Sequence, residues 1–193
     1  MKHLDTAQAP WIPTSEHVRL EARLTRWEDE LPPSLLLTQQ SIYMNKGSAQ
    51  VGGLLFLHLT YRKTRCDLYR IGMQDSSNIW KAEGYEALVN RESFEKNLQD
   101  LCFQQAIFIS SIFEEALRHG ANTLADTWLS VVAHDACRII VHYFSRNLGT
   151  LNRGNNTRQQ AAACLQTNLQ ALKTMMPLNS LAKPLVGNKM IPP

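Results

Sequence analysis

The sequence predicts an all-α fold, an irregular multi-helix bundle that is part of a larger domain. Apolar residues recur at three- and four-residue spacing over stretches too long for strands. These stretches are bounded by proline, glycine and capping residues where helices start and stop. Strand signals are sparse, with no Asn-Gly or Asp-Gly hairpin turn and no series of short alternating runs. No fixed-period repeat is visible, so a standard solenoid is not supported. With 193 residues, 44% of them hydrophobic, the chain can fill one sizeable core or part of a larger one.

Residues 1–13 read as a Pro-flanked leader carrying Pro10, Trp11 and Pro13. Thr14 or Ser15 can cap a first helix, whose apolar residues Leu20, Leu24, Trp27 and Leu31 share one face. Pro32 and Pro33 end it, since proline lacks a backbone donor and restricts the residue before it. A polar loop through Asn45–Ser48 leads into a stretch with two periodicities. Leu55, Leu57, Leu59 and Tyr61 alternate as in a strand, but the helical spacing runs on through Cys66, Leu68 and Tyr69, beyond strand length. We therefore read a helix, closed by Gly72.

A connector from about Gln74 to Asn90 precedes a long helix marked by Phe94, Leu98, Leu101, Cys102, Ile109, Phe113 and Leu117. Gly120 is its left-handed stop, after Arg118 and His119, whose charge suits a helix C-terminus. Asn122 or Thr123 starts the next helix, in which Trp128, Val131, Val132, Ile139, Ile140, Tyr143 and Phe144 form a stripe broad enough to be buried between neighbours. After a Gly- and Asn-rich loop over 149–156, Thr157 with Gln160 fits a capping box for a last helix carrying Leu165, Leu169, Leu172 and Met176. Pro177 stops it. The organisation expected is thus a leader over 1–13, a helical domain over 14–176 and an irregular tail over 177–193.

Chemistry-bearing patterns are few. The 20 basic and 17 acidic residues are scattered and leave a net charge of +3, unlike a polybasic nucleic-acid binder. Cys66, Cys102, Cys137 and Cys164 lie far apart within apolar stretches and read as buried reduced thiols. The opening residues lack the apolar region of a signal peptide, and no stretch approaches the length of a membrane span. His134, Asp135, Cys137 and His142 crowd one helix, and His134 and Cys137, three apart, could face one site, but tetrahedral zinc needs further ligands, and none is spaced to supply them. There is no nucleophile elbow, and Gly52-Gly53, placed before the second helix, lacks the pattern of a phosphate cradle. The basic cluster Arg62, Lys63, Arg65 and Arg70, offset by Asp67, reads as a solvated helix face. The expectation is a chain that is not an enzyme.

One ordered string carries a resemblance. Pro10-Trp11, Pro13, Ser15, Leu20, Leu24, Trp27 and Leu31-Pro32 are followed by Leu57-His58-Leu59-x-Tyr61, then Cys66-Asp67-Leu68-Tyr69-Arg70, and more loosely by Leu124-x-Asp126. In this order and spacing the text resembles the C-terminal half of the fungal-specific transcription factor domain, or middle homology region, of fungal zinc-cluster transcription factors. The likeness runs from about Pro10 to Leu172. It implies an all-α, non-DNA-contacting regulatory part of a nuclear RNA polymerase II transcription factor. Trp27, Leu31, Pro32, Leu57, His58, Tyr61, Leu68, Tyr69, Arg70 and Asp126 would be its structural motif residues.

In such proteins a separate N-terminal six-cysteine cluster holds zinc and reads DNA. Four dispersed cysteines cannot supply it, so the resemblance implies no cofactor in this chain and no direct, specific DNA binding by it. Partners implied are proteins of the transcription machinery, the missing part of its own domain, or a small-molecule effector. Where the family often has proline after Tyr-Arg, this chain has Ile71-Gly72-Met73. A helix face of about five large apolar side chains left without its partner would forfeit on the order of 10 kcal/mol, so a marginally stable or self-associating chain is expected. A second reading is a stand-alone helical scaffold or small-molecule-binding protein, with the stripes around Trp128 and Tyr143 lining a pocket. A third is a small metalloenzyme using His134, Cys137 and His142.

Overall fold

Ser15 opens the first helix, α1 (Glu16–Asp29): its hydroxyl accepts from the Val18 amide and donates to the Pro10 carbonyl. The computed structural model describes residues 9–45, 49–73, 85–147 and 155–178. Among these residues the regular structure is wholly helical, with no strand. Past α1, Pro33–Leu35 form one turn of 3-10 helix and lead to a short helix, α2 (Gln39–Met44). Thr38 caps α2 reciprocally with Ser41, each side chain bonding the other's backbone amide.

The doubly periodic stretch is helical, α3 (Ala49–Tyr69), and it continues as a 3-10 turn over Arg70–Met73. Gly52 and Gly53 lie inside α3 rather than before it. Gly72 does not close the helix by a left-handed turn. It is buried because the chain passes so near the next helix that a Cβ there would sit 2.5 Å from Leu98 Cβ and 2.9 Å from the Glu95 carbonyl.

The long helix, α4 (Tyr85–Arg118), starts within what the sequence suggested was connector. Residues 74–84 of that connector lie outside the described residues. At about 1.5 Å per residue α4 is roughly 50 Å long, and it is the spine of the molecule. Leu98, Cys102, Ala106, Ile109, Phe113 and Ala116 bury one continuous seam along it. Gly120 (φ +93°) turns the chain as expected. The next helix, however, does not begin at Asn122 or Thr123, which belong to a 3-10 turn over Ala121–Leu124. Asp126 caps α5 (Thr127–Asn147), its Oδ1 accepting from the Trp128 amide at 2.8 Å.

The last helix, α6 (Asn155–Met175), begins ahead of Thr157, so Thr157 and Gln160 fall inside its first turns and form no capping box there. It ends just before Pro177. The expected tail beyond Leu178 lies outside the described residues, as do the leader's first eight.

Spine helix α4 packs against α3, α5 and α6, and α5 packs against α6. The core is a contiguous set that includes Leu55, Leu59, Tyr69, Leu98, Ile109, Phe113, Leu129, Val132, Ile140, Leu172 and Met175. Large apolar side chains stabilise by about 1.5–3 kcal/mol each when buried, so this seam dominates the fold. Helix α1 is different. It lies outside the bundle, chiefly on α3, and buries only His17 of its own side chains. Its apolar stripe is half covered: Leu20 and Trp27 are each 37% exposed.

Candidate functional site

The densest set of specific contacts lies where α1 meets α3, with a second set where α3 meets α5. Pattern residues from distant parts of the chain meet there. Trp27 stacks on Tyr61 with ring centroids 4.8 Å apart and an interplanar angle of 29°. The Tyr61 hydroxyl lies 3.1 Å from the Leu24 carbonyl and 2.9 Å from Glu28 Oε2. Glu28 also accepts from Arg62 and Arg65, so two guanidinium groups and a phenol cradle one carboxylate. Two turns earlier on α1, Glu21 accepts from the Tyr69 hydroxyl at 3.0 Å. Arg65 ties the two halves together, donating to Tyr69 through Nε and Nη2 and to Tyr61 through Nη1. Burial pushes the Tyr69 phenol up to about 12, against the pull of Arg65, so it stays a donor to Glu21. Burial and the neighbouring Glu28 also raise Tyr61.

His58 is buried, and its Nε2 donates to the Leu35 carbonyl at 2.8 Å, pinning the turn after α1 to α3. Leu31 is half-buried beside that turn and Pro32 is exposed in extended geometry (φ −56°, ψ 144°). Leu57 and Leu68 are half-buried on α3, and Leu68 packs against the core. Leu57 instead lines an open groove of about 450 Å³ with Ser34, Leu35, Asn45, Gln50, Gly53 and Leu54.

The second set centres on Asp135 of α5, 9% exposed. Its Oδ2 meets Arg70 at 3.1 Å and Lys63 at 3.2 Å, while Lys63 also bonds Asp67 at 2.6 Å. Burial alone would raise the Asp135 carboxyl, but hydrogen bonds from Arg70 and Lys63 outweigh it and hold it below its ordinary value. The basic cluster is therefore not a solvated face. The side chains of Arg62, Lys63 and Arg65 are 17, 6 and 15% exposed, and each is paired with a carboxylate. Arg62 further reaches buried Gln105 of α4 and lies over the Phe108 ring, and Lys63 lies over Trp128. Of the pattern residues, Asp126 stands apart as the cap of α5, and Leu31, Pro32, Leu57 and Leu68 take no part in either set.

Among the described residues no group of three His, Cys, Asp or Glu side chains is placed to hold a metal ion. Cys137 is buried, and burial pushes its thiol up to about 11 despite Asn168 of α6 nearby, whereas His142 is turned toward the Met73 backbone. His134, beside Asp135 and Arg138, joins neither. Trp128 and Tyr143 stand toward opposite ends of α5, roughly 22 Å apart along its axis: Trp128 is 43% exposed, while Tyr143 stacks on Phe103 at 4.2 Å and bonds Asp100.

No family model, curated protein or solved structure matches the chain. Its own geometry therefore carries the functional argument. The contacts above place no nucleophile beside an activating base. They hold one helix, α1, against the bundle by charge and aromatic stacking, and leave apolar side chains open beside it.

Sequence reasoning overlooked Glu21 and Glu28, the acidic half of the first set, and noticed Asp135 only among possible metal ligands, not as the partner of Lys63 and Arg70. Signals for them existed. Glu21 and Glu28 are seven apart, on one face of α1, and Asp135 is a carboxylate within an apolar stripe, which demands a partner when buried.

Proposed function

We propose that this chain is the regulatory, non-DNA-contacting part of a fungal RNA polymerase II transcription factor, acting in the nucleus through contacts with protein partners or with the rest of its own domain. The observation that carries the reading is where the exposed apolar side chains gather. Of ten large hydrophobic residues left exposed among the described residues, Leu20, Trp27, Leu35, Leu36, Tyr43 and Met44 fall between α1 and the end of α2. Apolar side chains left uncovered along this one stretch of chain are what contact with another protein would cover. The convergence of Trp27, His58, Tyr61, Tyr69 and Arg70 into structural contacts supports the same reading, since the resemblance gives those residues a structural role.

The test is a tethering assay in yeast. The chain is fused to an unrelated DNA-binding module, and reporter output is compared with that of the module alone and of a fusion carrying Tyr43→Glu with Met44→Glu. The reading requires a change in output that the double substitution abolishes. Equal output from all three removes it. In the native gene, an in-frame run of six cysteines upstream of Met1 is the second requirement.

A small-molecule reading has one observation in its favour, the groove beneath Leu35, Leu54 and Leu57. Its volume is in the range of ligand sites. A metabolite that raises the melting temperature of the wild type but not of Leu57→Glu would support it.

A further inference from the structure

We propose that α1 is an exchangeable arm: the α3 face bearing Tyr61, Arg62, Arg65 and Tyr69 accepts α1 from a second copy of this chain, and two copies dimerise by trading it. This inference rests on the α1–α3 contacts alone and does not depend on a role in transcription.

Four observations lead to a second copy as the occupant. First, the α3 face is complementary to a particular helix. It sets a phenol at Tyr69 for one carboxylate, two guanidinium groups and a phenol for another two turns on, and an aromatic ring for the indole next to the second. The helix that fits is α1 itself, with Glu21, Trp27 and Glu28, and every copy carries one. Second, α1 is a separable piece. It buries a single side chain of its own, His17, edge-on against Phe94 of α4, where α5 buries nine, and its other anchors are hydrogen bonds, ion pairs and the Trp27–Tyr61 stack.

Third, the hinge is suited to opening. Pro32 is already extended, and neither Pro32 nor Pro33 has an amide hydrogen to lose when the chain straightens. His58 holds Leu35 to α3 just beyond the hinge, so the arm can leave while the following turn stays in place. Fourth, the side chains next to the hinge are apolar and uncovered, Leu35 41%, Leu36 36%, Tyr43 74% and Met44 76% exposed. In an exchanged pair the arms cross at this place, and two sets of these residues face each other.

The balance between closed monomer and exchanged dimer follows from these features. The α1–α3 contacts are the same in both forms, so they do not decide between them. Tethering favours the closed form with an effective concentration on the order of millimolar. Burial of the hinge-side apolar residues favours the dimer, and a two-fold exchange closes on itself without leaving a free arm.

Charge reversal on opposite sides of the contact tests the proposal. One variant carries Glu28→Arg, the other Arg62→Glu with Arg65→Glu. In each alone the arm and its seat repel, and each runs as a monomer in size-exclusion chromatography with light scattering. Mixed in equal amounts they restore both seats in trans, one with native charges and one with reversed charges, and a one-to-one dimer is expected. A second arm uses the unaltered sequence: ¹⁴N and ¹⁵N chains are mixed at high concentration and examined by native mass spectrometry, where mixed-label dimers are expected that Glu28→Arg abolishes. Two monomers from the mixed variants would overturn the proposal. So would an absence of mixed-label dimers, or their persistence in Glu28→Arg. The unaltered chains decide the matter even where a charge-reversed variant fails to fold.

Discussion

Replacing Asp135 with alanine removes the one carboxylate that α5 offers to α3. Lys63, whose side chain is 6% exposed, then keeps Asp67 as its one carboxylate among the described residues and its place over the Trp128 ring, and Arg70 keeps a 3.5 Å contact with Asp67. Removing one partner of a buried pair costs about 3–5 kcal/mol. Asp67 remains in place and Arg70 is partly solvated, which screens the loss, so about 2–3 kcal/mol is expected here. Urea unfolding followed by circular dichroism would read this as a midpoint lowered by about 1–1.5 M, for a slope near 2 kcal/mol per M. The double variant Lys63→Met with Asp135→Leu removes the buried charges together and should recover most of the loss.

Acidification supplies an independent check. Asp135 has a folded-state value held below its ordinary 3.8, so its contribution is complete above about pH 4 and fades as pH falls through the lowered value. The stability gap between the native chain and Asp135→Asn should therefore be flat from pH 5 to 8 and close at lower pH. A midpoint for Asp135→Ala within about 0.2 M of the native one, or a double variant no better than the single, would refute the reasoning.

Other expectations follow from single contacts. Gly72→Ala drives a methyl group into Leu98 and the Glu95 carbonyl and should cost about 1–3 kcal/mol, read by the same unfolding assay; a neutral outcome would mean the two segments can separate freely. His17 is buried against Phe94 with neither ring nitrogen hydrogen-bonded, and burial lowers its pKa despite the nearby Glu21 and Leu68 carbonyl. Its contribution is thus complete above 6.5 and is lost as pH falls below that, so α1 should loosen between pH 7.5 and 5.5, measured by amide exchange over 16–29, and His17→Phe should flatten the response. The hydrogen bond with Cys102 and burial raise the Cys66 thiol, and burial raises Cys137 and Cys164 too, so exposure decides: alkylation mapped by mass spectrometry at pH 8 should label half-buried Cys164 first and reach the other three only on unfolding.

The fold class was legible because periodicity over many residues outweighs local ambiguity. The alternating run at Leu55–Tyr61 belongs to a helix since Cys66 and Tyr69 continue its buried face, both 0% exposed. Ser15 and Gly120 were legible because their roles follow from one residue's own chemistry, a hydroxyl acceptor and a left-handed backbone. Helix α2 escaped because its capping partner is Ser41 rather than the usual Glu or Gln, and because six residues are too few to show a period. The start of α5 was misplaced because Thr123 spends its hydroxyl on the Ala116 and Gly120 carbonyls, leaving Asp126 to cap. The basic stretch on α3 was misread because burial is a tertiary property: its carboxylate partners on other helices lie 34 to 72 positions away, as the pairs Arg62–Glu28 and Lys63–Asp135 illustrate. The stripe on α1 shows the converse, since Leu20 and Trp27 have helical spacing yet remain 37% exposed on a helix that packs chiefly on α3.

The succession of α4, α5 and α6, each helix packed on the one before it, has a kinetic consequence. Contacts close in sequence need little chain closure, and topologies rich in them assemble on microsecond to millisecond timescales. This three-helix unit should condense first, with α3 joining α4 across the intervening segment. The N-terminal arm would settle last, so the step that completes the molecule is also the one that partial unfolding reverses first.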